Sequence, residues 1–269
     1  MIENSIPTHL LETLVTAPVL AAAQCTVRAG DIKANIALHM TFMRQAYAHK
    51  ADFLLFPELS LTGYEPTLAH ALAQEMECPL LSPLRRLAQE CSMTTVVGLP
   101  LRLPGHDKPL IAAFILNKEG SMAVYTKQHL HPGEDQYFSA GHGGDLLNIG
   151  DVPVALSVCA DFSHATHPAD AANQGAQVYA ASVLIGKAGY AHDSALLQGY
   201  SQRYAMAVLM ANHGGTTGGW EAAGRSAFWD EAGRRVASVS GDGDHLLIVS
   251  KQSTGWQGFE MPVPLPAAV

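Results

Sequence analysis

No run of lysine or arginine occurs anywhere in this chain, and its formal net charge is −8. A partner built on a phosphate backbone needs a basic surface, so nucleic acid is excluded as a ligand class. Charge of either sign is scarce: 15% of residues are charged, against roughly 25% in an average soluble protein. Less of this surface is suited to water, which points to subunits that cover part of one another. No apolar run is long enough to cross a bilayer without interruption. Cysteine is also sparse, and Cys25, Cys78, Cys91 and Cys159 follow no metal-ligand spacing. With no export signal in view they read as reduced thiols of a cytoplasmic protein. Val19-Leu-Ala-Ala-Ala-Gln-Cys25 has the outline of a lipoprotein cleavage site, but Glu3 and Glu12 precede it without a single basic residue, whereas a leader needs a basic start.

What is present is apolar, 48% of 269 residues, enough for one large domain burying roughly three quarters of its unfolded surface. Residues 1–16 stand outside the repeating pattern as an N-terminal extension, 17–250 form the domain, and 251–269, Gly- and Pro-rich without periodicity, form a C-terminal arm. Pro18 to Val27 is the first core strand. Asp31 caps a helix whose Ile32, Ile36, Met40, Met43 and Tyr47 recur at three- and four-residue steps as its apolar face. Ala51 to Phe56 is a continuous apolar strand of the kind covered on both sides. Ser82-Pro83 starts a second helix with Leu84, Leu87, Ala88 and Cys91 buried. Met93 to Leu101 is a strand, and Ile111 to Asn117 with Ser121 to Leu130 is a hairpin. Further strands follow at Gln177 to Leu184, Val208 to Ala211 and His245 to Ser250, helices at Pro168 to Gly175 and His192 to Met206, and a hairpin at Gly224 to Ser240. Alternating strands and helices with inserted hairpins give an α/β sandwich with mixed sheets.

Ala155-Leu-Ser-Val-Cys-Ala-Asp161 ends a buried strand on a cysteine with a carboxylate two residues later. Carboxyl ends of strands are where ligands meet α/β proteins, although a lone cysteine is more often a small core hydrophobe. Glu58 and Lys127 stand at two further strand ends and change that balance. A thiol needs a base or cation beside it to ionise near neutrality. Glu58, desolvated behind Phe53 to Phe56, can be that base. Lys127 and the backbone N–H of Ala160 can stabilise an oxyanion. The histidine pairs His129/His131 and His164/His167 lack the HExxH arrangement of a zinc hydrolase. Asn212-His-Gly-Gly-Thr-Thr-Gly-Gly219 lacks the Lys and Ser/Thr of a phosphate loop and reads as a pocket rim. His129, by strand alternation, is placed on the same face as Lys127.

Phe56-Pro-Glu-Leu-Ser-Leu-Thr-Gly-Tyr64, Tyr125-Thr-Lys-Gln-His-Leu130 and Leu156-Ser-Val-Cys-Ala-Asp161 resemble, in order, the Glu, Lys and Cys motifs of the nitrilase, or carbon–nitrogen hydrolase, superfamily. Gln202 to Asn212 and Gly224 to Gly233 resemble its later segments. The resemblance implies an α-β-β-α sandwich whose subunits pair into four layers, as a homodimer or higher homo-oligomer. It implies a thiol hydrolase without cofactor or metal, acting on a small-molecule amide, carbamoyl or nitrile substrate, with Glu58 as base, Lys127 stabilising the intermediate and Cys159 forming a thioester. Glu134 stands where the family has a second glutamate, with Asp135 beside it as the competing carboxylate. Tyr64, Tyr137, Ala160, Phe162 and Ser182 are the candidate substrate-binding residues. The chain departs from the pattern in having Ala160 after the cysteine, no Arg in Phe162 to Pro168, and Ser182-Val-Leu-Ile185 where amidase-like members carry a Trp. With no second domain in view to consume ammonia, release of the product to solvent is expected. A catalytically silent, metabolite-binding member is the alternative.

Overall fold

The computed structural model describes residues 17–264, so the extension at 1–16 lies outside them. The chain runs β1 (Val19–Gln24), α1 (Ile32–Ala48), β2 (Phe53–Leu55), α2 (Ala69–Leu72), α3 (Ser82–Glu90), β3 (Thr94–Leu101), β4 (Leu110–Leu116) and β5 (Met122–Thr126). It continues with β6 (Leu147–Ile149), β7 (Val152–Val158), α4 (Thr166–Asn173), β8 (Val178–Val183), α5 (Tyr190–Tyr204) and β9 (Ala207–Asn212). The last elements are β10 (Ala227–Trp229), β11 (Arg235–Ser238), β12 (His245–Gln252) and β13 (Gly255–Pro262). Seven strands form one sheet in the order β13-β12-β1-β2-β3-β4-β5, and six form the other as β11-β10-β9-β8-β7-β6. β1, β2 and β3 run parallel, as do β7, β8 and β9. Antiparallel hairpins extend both sheets.

Period-two alternation sorts each strand between two cores. Leu20, Phe53, Leu55 and Ile111 of one sheet meet Val154, Leu156, Val158 and Leu209 of the other in a central layer. The residues between them turn outward: Ala21, Leu54 and Phe114 pack under α1 and α3, and Tyr179, Ala181 and Val208 under α4 and α5. The result is the expected α-β-β-α sandwich. Cys91 is buried with Leu84, Leu87 and Ala88, as α3's spacing predicts.

Two expectations are corrected. The buried face of α1 is Asn35, His39, Phe42, Met43 and Ala46, while Tyr47 is 55% exposed and Ile32, Ile36 and Met40 only flank the core. Polar contacts turn this helix: Asn35 Nδ2 donates to the Leu61 carbonyl at 3.0 Å, and His39 bonds Ser60 Oγ at 2.9 Å and stacks on Phe56 at 4.0 Å. The tail is not a loose arm. Gly255–Pro262 pairs antiparallel with β12 along its whole length, and Trp256 packs into the central layer.

Candidate active site

Glu58 follows β2 in a tight loop that crosses β3 at Gly98. A Cβ there would overlap the Leu59 backbone, so glycine lets the loop lie against the strand. Gly98 N–H donates to Ser60 Oγ at 3.1 Å and Leu61 N–H to the Gly98 carbonyl at 2.9 Å. The Glu58 carbonyl accepts from His213 Nε2 at 2.7 Å. Lys127 is the first residue beyond β5 and has no exposed surface. Cys159 is the first beyond β7, opening a short 3₁₀ turn with a φ of 42°, a left-handed conformation rare for a residue with a Cβ and common at functional turns.

These ends converge. The Lys127 ammonium donates to Glu58 Oε1 at 2.7 Å and to Glu134 Oε1 at 2.8 Å. Glu134 Oε1 also accepts from Tyr64 OH at 2.8 Å, and its Oε2 from the His131 N–H at 2.7 Å. Both oxygens of Glu134 are thus engaged, whereas Glu58 Oε2 is buried with no hydrogen-bond partner. Asp135 is exposed; Glu134 is the carboxylate that faces the lysine. Cys159 Sγ, 3.7 Å from the Leu184 carbonyl, shares with Glu58, Tyr64 and Glu134 the wall of a cavity of about 480 Å³. Burial raises the Glu58 carboxyl to about 7, with the Lys127 charge opposing and the Glu134 charge adding to the rise. Burial pushes the Cys159 thiol well up, the Glu58 charge adds to the rise, and the Lys127 charge opposes it. For Lys127 burial works downward, but the surrounding Glu58, Cys159 and Glu134 charges outweigh it and hold the ammonium above its ordinary value. The arrangement keeps a charged lysine, an acceptor with an open oxygen and a protonated thiol together in one cleft.

Of the candidate substrate-binding residues, Ala160, Phe162 and Tyr64 line the cavity. Tyr137 and Ser182 do not. Tyr137 is 37% exposed because Glu134 and Phe138 take the inward positions of their turn. Ser182 shares the parity of Val178 and Ala180 and faces the other sheet, donating to the Phe56 carbonyl at 2.8 Å. His129 is not on a continued strand, since β5 stops at Thr126; its ring stacks on His164 at 3.9 Å. His167 is held between Tyr125 OH at 2.7 Å and Tyr179 OH at 2.8 Å. Among the described residues no three His, Cys, Asp or Glu side chains are grouped to hold a metal ion, and no helix is long and apolar enough to cross a membrane.

Sequence reasoning gave no role to Asp161, visible only as a carboxylate near the cysteine. It is fully buried. Its Oδ1 accepts the N–H groups of Gln128 at 3.0 Å and His129 at 2.8 Å, and its Oδ2 those of Val158 N–H at 3.1 Å and Tyr125 OH at 2.7 Å. One carboxylate therefore clamps the lysine loop to the cysteine turn. Trp220, on the rim loop, was also missed; it borders the cavity beside Gly219.

The carbon–nitrogen hydrolase family model matches residues 19–259. The chain belongs to the carbon–nitrogen hydrolases. Among solved structures, an amidase from Nesterenkonia sp. aligns with a TM-score of 0.80 and 26% identity over 88% of this hydrolase and 90% of that chain. A mutant of that amidase in complex with butyramide aligns at 0.79 and 27%, over 88% and 91%. Another carries the acetamide moiety of fluoroacetamide added covalently at the active site cysteine, at 0.79 and 27%, over 88% and 91%. The glutamine-dependent NAD(+) synthetase of Thermotoga maritima is 25% identical over 198 residues, 69% of this hydrolase and 34% of that protein. The hydrolase thus spans about a third of the length of the curated relatives it matches.

Proposed function

We propose that this carbon–nitrogen hydrolase cleaves a small-molecule amide through a thioester on Cys159, with Glu58 as general base. The observation that carries the reading is the open, buried Glu58 Oε2 in the same cavity wall as Cys159, while its partner carboxylate Glu134 has both oxygens engaged. Glu58 takes the thiol proton as sulfur attacks the carbonyl carbon, so thiolate forms only as the C–S bond does. The oxyanion is stabilised by the Lys127 ammonium and the Ala160 N–H. On collapse the C–N bond breaks and the proton held by Glu58 goes to the departing amine. Glu58 then takes a proton from water, which adds to the thioester; the second intermediate expels the thiolate, which regains a proton, and the carboxylic acid leaves. Glu134 and Tyr64 fix the lysine throughout.

An amide is favoured over a nitrile because the similar amidases are described with butyramide and an acetamide adduct. The decisive experiment is intact-protein mass spectrometry with turnover assays on a panel of amides, carbamoyl compounds and nitriles. An acyl adduct on wild-type protein, absent from Cys159→Ala together with turnover, is expected. For one acyl group the amide should have the higher kcat/KM, and a tenfold preference for the nitrile, ~1.4 kcal/mol in the barrier, overturns that choice. Neither turnover nor adduct across the panel would favour a silent, metabolite-binding member.

A further inference from the structure

The glycine-rich rim ends in a tight turn. Gly218 and Gly219 have φ of 54° and 78°, and Thr217 and Trp220 exchange backbone hydrogen bonds of 3.1 and 2.8 Å, the pattern of a two-residue hairpin turn that requires positive φ at both centres. A Cβ on Gly218 would run into the Tyr64 carbonyl, so the turn is seated directly on the Glu58 loop. It is fastened there by Tyr64 N–H to Thr217 Oγ1 at 2.8 Å and Gly218 N–H to Glu65 Oε1 at 3.0 Å. Beyond Trp220, Lys187 N–H donates to the Glu221 carbonyl at 3.0 Å and Ala223 N–H to the Ile185 carbonyl at 2.9 Å. Trp220 is therefore fixed by the backbone on both sides.

The residue is nevertheless 44% exposed, and it borders the cavity together with the apolar Phe162, Leu184 and Ile185. Its ring meets His131 edge-on at 5.7 Å and 90°, and part of the residue stays open to solvent at the cavity. An aromatic side chain carried on a fixed backbone offers a large apolar contact with only two side-chain torsions to order on binding. The cavity of about 480 Å³ falls in the size range of sites that hold ligands much larger than a two-carbon amide. The sequence lacks the family-like Trp after the strand that follows the nucleophile, and here an indole reaches the cavity from a different loop.

We propose that Trp220 is a specificity-determining residue, the platform for the acyl portion of the substrate, and that it selects amides with an aromatic or similarly flat apolar acyl group over short-chain amides. The inference rests on the amide-hydrolase reading above and names the substrate class of that site. It is tested by kcat/KM for acetamide, butyramide and phenylacetamide on wild type, Trp220→Ala and Trp220→Phe. Wild type should prefer phenylacetamide to acetamide by at least tenfold; Trp220→Ala should cut that ratio at least tenfold, chiefly through KM, and Trp220→Phe should restore most of it. A wild-type ratio near one, or a ratio unchanged in Trp220→Ala, overturns the platform while leaving amide hydrolysis standing. Should Trp220→Ala not fold, or no amide turn over, phenylacetamide titrated into Cys159→Ala decides: tryptophan fluorescence should be quenched there, and not in Cys159→Ala carrying Trp220→Phe. Equal quenching in both, or none in either, refutes the platform.

Discussion

Glu58 and Glu134 grip the same ammonium yet differ in what their second oxygens do, and it is on that difference that we propose Glu58 as the base and Glu134 as the brace. Glu134 Oε2 is held by a backbone N–H at 2.7 Å; no protein hydrogen bond fills Glu58 Oε2, and the Cys159 thiol is the further donor near that carboxylate. A base must be unprotonated, and burial lifts Glu58 to about 7, so activity should be lost as pH falls through that value. We expect kcat/KM to rise with unit slope toward a plateau above about pH 7, and Glu58→Gln to be nearly inactive at every pH; a profile flat from pH 5 to 8 would exclude this base. Asp161 belongs to the same scale, because its two oxygens divide between the lysine loop and the cysteine turn. In Asp161→Asn one oxygen becomes a donor facing N–H or O–H groups, and kcat should fall roughly 10- to 100-fold, ~1.4 to 2.8 kcal/mol, with little change in KM. The rate of Cys159 alkylation should fall in parallel, and an unaltered kcat in folded Asp161→Asn protein would deny the clamp a part. Glu58, Lys127 and Cys159 were legible because each ends an apolar strand and their chemistry is complementary. Tyr137 and Ser182 were misjudged because side-chain direction in a 3₁₀ turn, and the carbonyl that a buried hydroxyl meets, are set by tertiary neighbours.

At the scale of elements, periodicity found the strands whose two faces are both apolar and missed those that lie at the margins. β6 is three residues long, too short for alternation to register. β13 reads Gly-Trp-Gln-Gly-Phe-Glu-Met-Pro at a sheet edge, with Gln257 and Phe259 exposed and Glu260 half-buried, so no alternation marks it, and two glycines mask it as a loop. α1 was located but rotated, because apolar spacing alone does not count Asn35 and His39, whose hydrogen bonds to the Glu58 loop make their burial favourable. The overlooked β13 carries a contact between the sheets. Trp256 is 6% exposed, lies 4.7 Å from Phe228 of β10 between ring centres, and donates to Glu231 at 3.0 Å. Truncating it leaves a large void in the central layer, so Trp256→Ala should cost about 3 to 5 kcal/mol in urea unfolding. A loss under about 1 kcal/mol would return the tail to the status of an arm.

For the whole molecule, the question is what covers the outer helices. The central layer is shielded by both sheets, but α5 carries Tyr190, Leu196 and Tyr204 only partly buried against its own sheet, and charge on the chain amounts to 15% of residues. A lone subunit would leave that apolar area in water, at a cost proportional to its extent. We therefore expect a dimer or larger homo-oligomer, formed by helix layers meeting and burying the roughly 1,200 Å² or more that a stable interface needs. Because few charges are available to such a contact, association should be insensitive to salt: sedimentation at micromolar concentration should give at least twice the subunit mass at 0.05 M and at 0.5 M NaCl alike. A subunit that sediments alone at low salt would refute the pairing, and dissociation only at high salt would mean that ion pairs, rather than apolar helix faces, hold the copies together.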